Sequence, residues 1–127
     1  MKIIDKASWQ IDGGFPPYIV VTHFKRVFSW LEEKDLLTQE GKEILEFGID
    51  DSVSLHERLI TPEALAFLDA KYDDYLRHNS YGEDEDSSAL EAIFTDFQLI
   101  SKAMEEDIKI INPIGFVRET KVYHEAR

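Results

Sequence analysis

Cysteine is absent from the 127-residue chain, which excludes a disulfide, a thiolate zinc site and a cysteine nucleophile. Long apolar runs are absent as well: nothing approaches the about 18 residues that a membrane-crossing helix needs. The amino end, MKIIDKASWQ, meets Asp5 and Lys6 before an apolar segment of signal-peptide length can build. The expectation is a soluble, cytoplasmic protein with no membrane partner. Basic residues are scarce, 14 Lys and Arg against 26 Asp and Glu, and the resulting net charge of −12 repels phosphate backbones. Nucleic acid is therefore not an expected partner. Such acidity serves solubility first; the sharper reading is an acidic surface that meets a basic protein or a cation.

What is present suffices for a core. With 43% hydrophobic and 12% aromatic residues, the chain has the size and content of one domain. Residues 1–11 read as an arm or strand carrying Ile3, Ile4 and Trp9. From Pro17 onward Val20, Val21, Phe24, Val27, Phe28 and Leu31 recur at helical spacing, and the pattern stops near EKDLL. Thr38 is placed to cap a second helix through Gly48. Ser54 with Glu57 has the capping-box form and suggests a further turn or two of helix. Thr61 and Pro62 open a clearer helix, whose Leu65, Leu68, Tyr72, Tyr75 and Leu76 share a face. After an Asn, Ser, Gly and acid-rich connection at 78–88, Leu90, Ile93, Phe94, Phe97, Ile100 and Met104 mark a last helix, and Pro113 forbids its continuation. Residues 114–124 favour a strand. The predicted fold is thus mainly α: one domain of about five helices over a helical body at 17–110. A small two-stranded sheet is expected from the N- and C-terminal segments, since a lone strand would leave its backbone groups unpaired.

Catalytic signatures are missing. WQIDGGFPPY, residues 9–18, resembles a ligand loop until its donors are counted. Asp12 stands beside Gly13, no lysine follows, and Pro16 and Pro17 lack the N–H groups an anion would use. The stretch reads better as a corner in which glycines permit a tight turn and prolines start a helix. HERLI begins like a zincin helix but has no second histidine four residues on. No serine lies in a nucleophile-elbow context, and no cofactor motif is present. The alternative is a scattered site in which Asp12, His23 and His78 converge on a divalent metal, in a small metal-binding protein or enzyme. On the first long helix Ile19, His23, Arg26 and Trp30 form a second stripe. It either packs beneath another helix at the edge of the core or borders a groove or a homodimer contact, the role tryptophan and arginine often take. Trp9 and the four acids Glu83, Asp84, Glu85 and Asp86 complete the candidate interaction set.

SWQIDGGFPP followed by THFKRVFSWLEEKDLLT resembles the amino-terminal part of a family of small bacterial proteins of unknown function. Trp9, Gly14, Phe15, Pro16, Thr22, His23 and Trp30 carry the likeness, and a weaker echo runs from about residue 5 to 76. Some relatives look like immunity or toxin-associated proteins. The resemblance implies no catalytic residues. Together with the charge and the missing motifs, it leads to the expectation of a non-enzymatic binding module, of the immunity type, for a basic protein.

Overall fold

The computed structural model describes the backbone of residues 1–78 and 87–111, and side chains within those ranges except at 78, 87, 100, 101 and 103–111. The expected strand at 114–124 and the acids Glu83, Asp84, Glu85 and Asp86 lie outside the described residues. Contacts divide the chain into two compact units, Met1–Ile93 and Phe94–Arg127. The second is described only along its helix to Ile111.

The fold is mainly helical with a small sheet. Its elements run β1 (Ile3–Lys6), α1 (Ala7–Asp12), α2 (Pro17–Glu33), α3 (Gln39–Phe47), β2 (Ser54–His56), α4 (Pro62–His78) and α5 (Ser87–Ile111). Two expectations change. The second half of the predicted arm is the helix α1, and the Ser54 region is a strand. β1 therefore finds its partner in β2, antiparallel, with Asp5 opposite Leu55 and Lys6 opposite Ser54. Hydrogen bonds from the Ala7 amide to the Val53 carbonyl and from the Glu57 amide to the Lys2 carbonyl extend the pairing at both ends. The capping-box spacing at Ser54 is overridden because that backbone satisfies β1 instead.

The corner at 9–18 behaves as a structural turn. Gly13 amide bonds back to the Trp9 carbonyl and closes α1, and Gly14 takes φ +108°, where a Cβ would be strained. Pro16 then holds an extended backbone and Pro17 opens α2, losing no bonded N–H. α2 buries Val20, His23, Phe24, Val27, Phe28, Trp30 and Leu31. It ends in a Schellman motif: Leu36 amide reaches the Leu31 carbonyl, Asp35 amide reaches Glu32, and Asp35 adopts φ 58°.

α3 is fixed at its amino-terminal end. The Thr38 side chain accepts from the Gly41 amide and donates to the Arg58 carbonyl, while Leu37 bridges to Ile60. Gly41 faces the backbone of Leu59 so closely that a Cβ there would lie 2.1 Å from the Leu59 carbonyl oxygen. At Thr61 the hydroxyl accepts from the Ala64 amide and caps α4. Ala64, Phe67, Leu68, Tyr72 and Tyr75 of α4 are buried, with the Phe67 ring 6.0 Å from that of Trp30 on α2. The core of the first unit thus lies where α2 and α4 meet, with the sheet contributing Leu55.

Candidate functional site

Asp5 and His23 are the two buried polar or charged side chains among the described residues, 2% and 0% exposed. Both belong to one hydrogen-bonded chain. Tyr72 hydroxyl donates to Asp5 Oδ2 at 2.6 Å, and His23 Nε2 lies 2.6 Å from the same hydroxyl. Tyrosine has a single hydroxyl proton, so with that proton on Asp5 the Nε2 must carry the hydrogen of the second bond. The chain of donors runs from His23 through Tyr72 to Asp5. Gln10 Nε2 donates to both oxygens of Asp5 at 3.0 and 3.2 Å, and the Lys6 amide donates to Oδ1 at 2.8 Å.

Local structure explains the placement. The register of β1 against β2 shifts between Ile3 and Asp5, and such bulges re-aim a side chain; Asp5 turns into the interior. His23 follows Val20 by three residues and precedes Val27 by four, so it lies on the apolar stripe of α2 itself. The network joins β1, α1, α2 and α4 through one carboxylate. Because Asp5, His23 and Tyr72 are buried, its chemistry is positional: it satisfies groups whose burial would otherwise be costly.

The sequence-predicted residues disperse. Asp12 is exposed at the end of α1, His23 is buried against Tyr72, and the side chain of His78 lies outside the described residues. Among the described residues no three His, Asp or Glu side chains form a group suited to a metal. Trp30 is 3% exposed and its Nε1 donates to Glu91 at 2.8 Å, which is core-edge packing with a satisfied N–H. Lys34 donates to the other oxygen of Glu91. The Lys34 hydrogen bond first, and the Trp30 hydrogen bond second, hold the Glu91 carboxyl below its ordinary pKa. Arg26 is half-buried on α2. Trp9 is 51% exposed on α1 with the Lys6 ammonium 5.8 Å from its ring centre, and Phe15 and Tyr18 are also exposed at that corner.

A second exposed region lies on α3, where helical spacing alone would read Ile44 and Phe47 as an apolar face. α3 turns Ile44 and Phe47 outward, Phe47 at 91% exposure. Glu40, Glu43, Glu46, Asp50 and Asp51 are exposed along the same helix and the turn that follows. Between α3 and β2 lies a cleft of about 300 Å³ lined by Ile44, Ile49, Val53 and Leu59 with Asp50, Ser54 and His56. The Ser52 hydroxyl and then the Ser52 amide donate to Asp50 Oδ1 and hold its carboxyl below the ordinary range. Arg58 amide donates to His56 Nδ1 at 3.2 Å. The signal that could have found this region is Phe47 itself, an aromatic among the acids of EGKEILEFGIDD. No helix among the described residues is long and apolar enough to cross a membrane. Comparison with protein-family models, with curated proteins and with solved structures finds no match to this chain.

Proposed function

We propose that this protein is a non-enzymatic, cytoplasmic binding module for a basic protein, of the kind that neutralises a toxin domain. The observation that supports it best is the face of α3: an aromatic side chain 91% exposed, set among five exposed acids. Ile44 and Phe47 are exposed one helical turn apart, and an aromatic flanked by an aliphatic is the composition that interface centres favour. Acids around the pair would steer a cationic surface into register and exclude acidic competitors. The net charge of −12 extends the same field. The buried network of Asp5, Tyr72 and His23 supports the reading from the other side, because the most elaborate polar constellation among the described residues is closed to substrate.

The test is capture followed by reconstitution. Photo-crosslinker placed beside Phe47 is used to trap partners from host extract, and each captured protein is purified and titrated alone. The reading expects a basic protein that binds in a fixed stoichiometry, with an association rate that falls steeply as salt rises. If no captured protein rebinds when purified, or if the one that does is acidic and indifferent to salt, the reading fails.

A further inference from the structure

The cleft between α3 and β2 has a lining that suits one chemistry. Its lining is largely aliphatic, from Ile44, Ile49, Val53 and Leu59, and Asp50 is the one carboxylate in it, with the His56 imidazole also lining the space. Ser52 occupies Asp50 Oδ1; Oδ2 has no hydrogen-bond partner among the described residues. Ser54 also lines the cleft, and its buried Oγ has no hydrogen-bond partner there either. Buried hydroxyls are rarely left unpaired. At about 300 Å³ the space is at the lower end of small-ligand pockets and takes a side chain, not a helix. Phe47, at the end of α3 three residues from Ile44, leaves its ring face available for a cation.

From this arrangement we infer that the cleft receives a single lysine or arginine side chain of the partner. The aliphatic stem lies along Ile44, Ile49 and Leu59, and the charged head meets the Asp50 carboxylate. Long basic side chains bury their methylenes while keeping the head at a polar rim. An acidic residue would meet Asp50 and the surrounding acids at close range. A purely apolar one would leave the Asp50 carboxylate without a counter-charge. This assignment deepens the proposed binding of a basic protein and rests on that reading for its biological meaning; the cleft's chemistry can be tested without the partner.

Isotope-labelled full-length protein is titrated with three blocked tripeptides, acetyl-Ala-Lys-Ala-amide and its arginine and norleucine counterparts, while backbone and methyl resonances are followed. The lysine and arginine peptides should move signals of Ile44, Ile49, Val53 and Ser54 in a saturable way, and norleucine, which keeps the stem without the charge, should not. Asp50→Asn should weaken the lysine peptide roughly fivefold, the effect of a well-placed exposed ion pair, with the remaining spectrum unchanged. Equal binding of the norleucine peptide, shifts spread over all surface acids, or undiminished binding by Asp50→Asn would each overturn the assignment. Failure here with a reconstituted basic partner still binding would remove the cleft and keep the proposed function. Saturable binding here with no reconstituted partner would do the reverse.

Discussion

Asp5 and Asp50 carry the same carboxyl group in opposite settings. Asp5 is 2% exposed and takes hydrogen bonds from a backbone amide, a glutamine and a tyrosine. Asp50 lies on the surface, takes hydrogen bonds from one serine, and lines a cleft. The difference follows from what each carboxylate is bound to. One whose acceptor sites are filled internally joins elements and is silent toward ligands. One half-filled at a rim is available for recognition and contributes little to the fold. The same contrast separates the buried ring of Trp30, which has given its N–H to Glu91, from the exposed ring of Phe47.

Removing the buried partner should break this comparison most visibly. Asp5→Ala leaves the Tyr72 hydroxyl, the Gln10 amide and the Lys6 amide without their acceptor, and should lower the unfolding free energy by about 3 kcal/mol, read from urea denaturation. Tyr72→Phe removes two links, to Asp5 and from His23, and should cost somewhat less, about 2 kcal/mol. Next comes the hidden side of α3. Gly41→Ala drives a methyl against the Leu59 carbonyl, which is backbone and cannot swing away, so a loss of about 2 kcal/mol is expected together with a displaced cleft. Circular dichroism melts and methyl spectra check both effects.

Glu91 provides a pH-dependent case. Its folded pKa is depressed below 4.5, so the stability it contributes is present at neutral pH and is lost as pH falls through the lowered value. Glu91→Gln should therefore be less stable than the parent protein at neutral pH, and the two should converge as acid is added below 4.5. A constant gap across that range would show that the carboxylate charge is not what stabilises the contact. The smallest effect on stability belongs to Phe47→Ser, within about 0.5 kcal/mol, as for surface residues generally. The same variant should weaken a reconstituted partner markedly, and a fold loss larger than the binding loss would reverse the assignment of Phe47.

Legibility in the sequence followed the range of the interactions involved. The helices from Pro17 and Pro62 were readable because their apolar spacing and proline starts are local properties. Thr38 as a cap was readable for the same reason. His23 was half-legible: its spacing from Val20 and Val27 places it on the apolar stripe, although it also fits the stripe of Arg26 and Trp30. Asp5 was not legible, since its burial depends on a bulge against a strand about fifty residues away. Nor was the shift from a helical turn to β2 at Ser54, where the backbone needs of β1 outweigh a local capping pattern.

The sequence by itself determined that the chain is acidic, cysteine-free and mainly helical, that two prolines and two glycines form the corner before α2, and that Gly14 and Pro17 could serve there. These are matters of composition and of contacts within a few residues. Tertiary structure alone decided that Tyr72 joins Asp5 to His23, that Glu91 satisfies Trp30, that Gly41 leaves room for the Leu59 carbonyl, and that Ile44 and Leu59 line one cleft with Asp50. Each of these brings together groups separated along the chain, and whether a polar atom is spent inside the fold or left for a partner is settled only when those distant groups meet.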